Sequence, residues 1–225
     1  MKRLAVFLSG RGSNFEALLE ATINSELKGV AQIVVVHSNK PAAGGLNIAR
    51  AHGIPSVILE PKQFADRPTY ETALIEALAP FQCDLVCLAG YMRILSQVFV
   101  REYAGRILNI HPSLLPKYPG LHTHEQVLTN RDKEHGATVH FVIDALDAGP
   151  KILQSKVSVL PNDTVDELSA RVLEKEHILY ARAVKWFCED RLKMDKEKAV
   201  LDGKPLLFDN DYNDTDKDIR DDSED

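Results

Sequence analysis

The chain has 225 residues, 44% hydrophobic and 27% charged, with a formal net charge of −6 and three cysteines. That composition supplies a sizeable core, and no run approaches the roughly 18 apolar residues that a bilayer crossing requires. Residues 209–225 carry −7 of the charge and the remainder +1, so no basic surplus points to nucleic acid, and Cys83, Cys87 and Cys188 form neither an even disulfide framework nor a zinc spacing.

The first apolar run, residues 4–8, is too short for a secretory signal and breaks at Ser9, Gly10, Arg11 and Gly12. It reads as a buried strand entering a helix whose stripe is Phe15, Leu18, Leu19, Thr22 and Ile23. Ser13 and Glu16 have the spacing of a capping box. A glycine-rich turn presenting helix N–H groups suits a phosphate. Position 15 is Phe where a dinucleotide fingerprint needs its third glycine, and no Gly-Lys-Ser or Gly-Lys-Thr occurs. A lone phosphate monoester fits better.

Runs at 33–36, 56–59, 85–88 and 106–110 are nearly continuous in apolar residues, as strands buried on both faces of a parallel sheet should be. Tyr70, Leu74, Ala77 and Leu78 mark a second helix. The run 137–143 sets His140 between Val139 and Phe141, an expected position nearer a sheet edge, and 151–159 follows as a further strand. The longest stripe is Val165, Leu168, Val172, Leu179, Ala183 and Trp186, opened by Thr164 and Glu167 in capping-box spacing. This alternation predicts one α/β domain over 1–208, a doubly wound, mostly parallel sheet with helices on both faces. The remaining 209–225, rich in Asp and Asn, is expected to be a disordered acidic tail.

The run 106–110 leads into Asn109, Ile110, His111 and Pro112, where open α/β sheets bind ligands. Period-two alternation puts Asn109 and His111 on one side. An amide donor beside a titratable imidazole suits carbonyl chemistry, although Asn-x-His alone is a weak signal. His122, His124, His135 and His140 offer a rival metal site, but their spacing matches no common zinc pattern. His37 and His52 read as ordinary strand-end and helix residues. Asp144 and Asp147 leave the strand ending at Ile143. Either could reach an imidazole and raise its pKa, or simply cap a turn. Glu176 falls beside the apolar stripe of the last helix, where a buried carboxylate needs a partner.

Taken together, the segments 9–14, 90–96, 108–116, 117–122 and 144–150 resemble the phosphoribosylglycinamide formyltransferases, over about residues 1–205. The Asn-x-His-Pro-Ser-Leu-Leu-Pro element is shared with other formyltetrahydrofolate enzymes. The Gly-x-Gly-Ser-Asn start and the Tyr-Pro-Gly-Leu-His stretch are those of this family. The resemblance implies formyl transfer from 10-formyltetrahydrofolate to the amine of 5-phosphoribosylglycinamide in purine synthesis, with no metal, nucleic acid or membrane. It implies a cytoplasmic monomer or homodimer acting on small molecules. Asn109, His111 and Asp147 match its catalytic trio, Asp147 keeping His111 protonated beside an oxyanion. Gly12, Ser13 and Asn14 match its phosphate site, and Leu173, Glu174, Lys175 and Glu176 its glycinamide-contacting segment. Met92, Arg93, Ile94 and Leu95, with Ile143, Asp144, Ala145, Leu146 and Asp147, match its pterin pocket. Arg67 matches an arginine bordering phosphate or folate. A transfer-RNA formyltransferase would need a further basic C-terminal domain, and a formyltetrahydrofolate hydrolase an N-terminal regulatory one. A phosphate-binding module would not need the trio.

Overall fold

The computed structural model describes residues 1–208, so the acidic segment 209–225 lies outside the described residues. In chain order the elements are β1 (Lys2–Leu8), α1 (Ser13–Asn24), β2 (Ala31–Ser38), α2 (Gly45–Ala51), β3 (Ser56–Ile58), α3 (Arg67–Leu78), β4 (Leu85–Leu88), α4 (Gln97–Glu102), β5 (Ile107–His111), α5 (Thr123–Asn130), β6 (Glu134–Phe141), β7 (Lys151–Ser158), α6 (Val165–Cys188), β8 (Leu192–Asp195), β9 (Lys198–Leu201) and β10 (Lys204–Pro205). Seven strands form one sheet in the order β3-β2-β1-β4-β5-β6-β7. Pairing is parallel from β3 across to β5 and antiparallel for β5–β6 and β6–β7. The chain works outward from β1 to β3, then returns to place β4 on β1's other side. That reversal opens a crevice at the carboxyl ends of β1 and β4.

The two faces of the sheet bury separate cores. Leu4, Val6 and Leu8 pack with Phe15, Leu18 and Leu46 and with Leu168, Val172 and Val184, which places α1, α2 and α6 on one face. Ala5 and Phe7 pack with Tyr70, Leu74 and Phe99, which places α3 and α4 on the other. Opposite sides of β1 therefore feed opposite layers, as strand alternation requires. The Tyr180 hydroxyl lies 3.0 Å from the carbonyl oxygens of both Leu88 and Leu108, tying α6 to β4 and β5.

β6 lies one strand in from the edge strand β7, so His140 sits nearer an edge, as expected, with its side chain buried. Two expectations are corrected. Ser13 does not cap α1. It is the first helical residue, and the cap is Gly12 at φ 89°, with no side-chain bond. A Cβ on Gly12 would stand 2.7 Å from Gly45 Cα, so close packing of the α1 cap against the start of α2 selects glycine there. The strand expected at 137–143 runs instead over Glu134–Phe141, and 142–143 belongs to the loop that follows. By contrast, Thr164 and Glu167 form the expected reciprocal capping box.

Candidate active site

A cavity of about 710 Å³ opens at the carboxyl ends of β4 and β5. Its floor is polar. Asn109 stands directly across the antiparallel ladder from His140, so the two side chains share one sheet face. Asn109 Nδ2 lies 3.1 Å from His140 Nε2, while His140 Nδ1 lies 2.9 Å from Phe141 O. A carbonyl only accepts, so Nδ1 carries the proton and Nε2 accepts from Asn109. One amide N–H of Asn109 is thus fixed and the other remains for the cavity.

Two residues along β5, His111 is buried, with Nε2 2.9 Å from Tyr118 O and Nδ1 3.5 Å from Asp147 Oδ2. By the same rule Nε2 carries the proton. Asp147 adopts a left-handed φ of 48°, accepts the Gly120 N–H at 2.8 Å and sets Oδ1 3.6 Å from His140 Nε2. Of the two aspartates the sequence could not rank, Asp147 lines the cavity beside His111, whereas Asp144 is exposed and outside the lining.

The pKa of His111 moves against the upward pull of the neighbouring carboxylate. Burial draws its pKa below the ordinary imidazole value, outweighing the upward pull of Asp147 and of the Tyr118 carbonyl, with His140 adding to the fall. Desolvation of the charged ring exceeds its attraction to one neighbouring carboxylate. Asp147 moves oppositely to its own burial. Desolvation raises its pKa, but the His140 and His111 rings and the Gly120 amide outweigh that and leave it below the usual value.

Asn14, at the start of α1, donates from Nδ2 to Glu176 Oε2 at 2.6 Å. The pair joins α1 to α6 and lines the cavity. Burial raises the Glu176 pKa, with Asn14 pulling against it. Asn14 Oδ1 is buried without a partner, a free acceptor beside helix N–H groups that have no intrahelical acceptors. Gly12, Ser13, Leu173, Glu174 and Lys175 flank this pair and do not line the cavity.

The lining also takes Arg67, Met92, Arg93, Ile94, Leu95, Ile143, Ala145 and Leu146. Met92, Ile94, Leu121 and Leu146 are each at least half exposed, an apolar rim suited to a flat, partly apolar ligand.

The four histidines weighed as metal ligands do not converge. His140 faces Asn109, His124 Nδ1 pairs with His135 Nε2 at 2.9 Å, and His122 faces Glu125. Sequence reasoning missed the role of His140, the carbonyl of Tyr118 and the cavity loop 120–125. His140 was visible only as one histidine among eight, and its partner depends on strand register.

Residues 2–184 match the family model described as formyl transferase. The phosphoribosylglycinamide formyltransferase of Escherichia coli (strain K12) is 50% identical over 203 residues, which is 90% of this chain and 95% of that protein. The trifunctional purine biosynthetic protein adenosine-3 of Drosophila melanogaster is 49% identical over 183 residues, 81% of this chain and 14% of that longer protein. A solved phosphoribosylglycinamide formyltransferase from Coxiella burnetii aligns with a TM-score of 0.86 at 42% identity, covering 92% of this chain and 96% of that one.

Proposed function

The chain belongs to the phosphoribosylglycinamide formyltransferases, within the formyl transferase family, and from that premise we propose a division of labour in the cavity. The enzyme transfers a formyl group to the amine of 5-phosphoribosylglycinamide in purine biosynthesis. The donor is 10-formyltetrahydrofolate. Its pterin sits among Met92, Arg93, Ile94 and Leu95 and the loop carrying Ile143, Ala145 and Leu146, with Arg67 at the rim. The acceptor's phosphate sits at the start of α1, on Gly12, Ser13 and Asn14, and its amino end approaches Glu176. The free, buried thiols Cys83, Cys87 and Cys188 suit a reducing cytoplasm.

The acceptor amine attacks the formyl carbon, and the carbonyl electron pair moves onto oxygen. The free N–H of Asn109 donates to that oxyanion. His111, neutral at rest with Nε2–H held by Tyr118 O, has its lone pair at Nδ1. It takes the proton that the attacking nitrogen releases, and Asp147 stabilises the imidazolium. Collapse restores the carbonyl and breaks the bond to folate N10, which leaves with that proton as tetrahydrofolate.

The observation that carries this reading is the convergence of Asn109, His111 and Asp147 on one cavity that Asn14, Glu176 and the apolar rim also line. An absorbance assay of tetrahydrofolate release, with and without the ribonucleotide, tests it. Release should require the ribonucleotide, and Asn109→Ala should lower kcat about 10²–10³-fold, the usual cost of one oxyanion donor. Ribonucleotide-independent release would make the chain a hydrolase, and near-full turnover in the variant would remove Asn109 from the reaction.

A further inference from the structure

Behind one wall of the cavity, three buried side chains from β2, α3 and the segment after β4 share two hydroxyl protons. His37, in β2, is wholly buried, and its Nδ1 lies 2.9 Å from Val57 O, so Nδ1 donates and Nε2 accepts. Burial pushes its pKa down to about 4, keeping the ring neutral. The hydroxyls of Tyr70, from α3, and Tyr91, just after β4, approach that nitrogen at 3.0 and 3.3 Å and each other at 2.9 Å. Whichever hydroxyl donates to Nε2, the other donates to its neighbour's oxygen. The mechanism above uses none of the three, yet Tyr91 lines the cavity.

Residues 90–96 form neither helix nor strand, so no backbone ladder holds them. They are held from outside. Gly90 O accepts the Ser9 N–H at 3.0 Å, and the Met92 N–H donates to Ser9 Oγ at 2.8 Å. The Arg93 guanidinium lies 5.2 Å above the Tyr70 ring. The Ser96 N–H donates to the buried Glu71 carboxylate at 2.8 Å, as does its hydroxyl. Tyr70 and Glu71 are adjacent, so one turn of α3 grips the strap at Tyr91, Arg93 and Ser96. Phe7 packs edge-on against both His37 and Tyr91, which fixes the cluster to β1.

We propose that the His37–Tyr70–Tyr91 cluster is a positioning device that holds residues 90–96 in their cavity-lining conformation before substrate arrives. The formyl donor then meets a preformed wall and does not have to order it. The consequence for the donor rests on the reading of the pterin pocket above; the positioning itself does not.

Two measurements on the full chain separate these claims. Hydrogen–deuterium exchange of the peptide covering 90–96, without substrate, should be faster in Tyr70→Phe and faster still in Tyr70→Phe/Tyr91→Phe. In Tyr70→Phe the donor KM should rise about fivefold, the equivalent of about 1 kcal/mol for one lost hydrogen bond, with kcat and the ribonucleotide KM within about twofold. Because the double variant orphans His37 Nε2, His37→Phe is added to it. The triple variant removes that buried acceptor and should recover thermal stability while keeping fast exchange and the raised KM. Unchanged exchange in the double variant overturns the proposal, as does a triple variant whose exchange recovers together with its stability. Faster exchange with an unchanged donor KM would leave the positioning standing and overturn the pterin-pocket reading.

Discussion

Substituting His140 by leucine tests how the catalytic amide is aimed. The imidazole supplies the one hydrogen-bond partner found for the Asn109 side chain among the described residues, at 3.1 Å, and is itself fixed by Phe141 O at 2.9 Å. Removing Asn109 outright should cost about 10²–10³ in kcat. Removing its orienting bond leaves the donor present but free to turn, a loss of about 1 kcal/mol and hence about fivefold. His140→Leu should therefore lower kcat about five- to tenfold with both KM values unchanged. The double-mutant cycle is the sharper readout. If His140 acts through Asn109, adding His140→Leu to Asn109→Ala should change kcat no further. Initial rates of tetrahydrofolate release at saturating substrates give all four corners. Equal losses in both backgrounds would refute the reasoning and move the influence of His140 to Asp147, whose Oδ1 is 3.6 Å away.

Other outcomes follow from the same geometry. Because burial sets the His111 pKa below its ordinary value and the reaction needs the neutral ring, kcat should fall only on the acid side, as pH drops through that depressed value. Asp147→Asn removes an upward pull on His111, so the acid limb of its pH–rate profile should move to lower pH; an unmoved limb would detach Asp147 from His111. Glu176→Gln keeps an acceptor for Asn14 but loses the charge, so the ribonucleotide KM should rise about tenfold with the donor KM unchanged. The native His37, at about 4 against 6.5 unfolded, binds fewer protons than the unfolded chain between those values, so its contribution to stability drains away as pH falls below 6.5. Between pH 7.5 and 5 that amounts to about 2 kcal/mol. His135, also drawn down to about 4, acts the same way, while the raised pKa of Glu176 works in the opposite direction. Urea midpoints for the wild type and His37→Phe isolate the His37 share, and parallel pH dependences would exclude it.

Much of the scaffold could be read from apolar runs because its strands are buried on both faces. β4 was expected at its observed bounds, and β1, β2, β3, β5 and β7 within one to two residues at each end. The elements that escaped are short or half-polar. α2, α4 and α5 have 7, 6 and 8 residues, too few turns for a stripe to repeat. The β8–β10 hairpins bury little beyond Leu192 and Ala199, so their pattern is faint. Cap geometry failed at α1 because the deciding contact, Gly12 against Gly45, spans 33 positions of chain.

The site divides along the same line. Asn109 and His111 could be paired because they lie on one strand, where period two is a local rule. Everything that tunes them arrives from elsewhere. Asn109 faces His140, and His111 faces Thr138, only because β6 runs antiparallel to β5 in one register. A slip of one residue would turn Val139 towards the cavity face and bury His140 among apolar neighbours. The sign of the His111 pKa shift is likewise a tertiary quantity. Sequence shows a carboxylate near in chain to a strand end, which argues upward. Only packing shows that β5, the loop carrying Gly120 and the loop carrying Asp147 close over the ring and reverse that direction. Residue types therefore announce the class of chemistry, whereas the protonation state in which the site waits for substrate is set by how completely the fold excludes water from it.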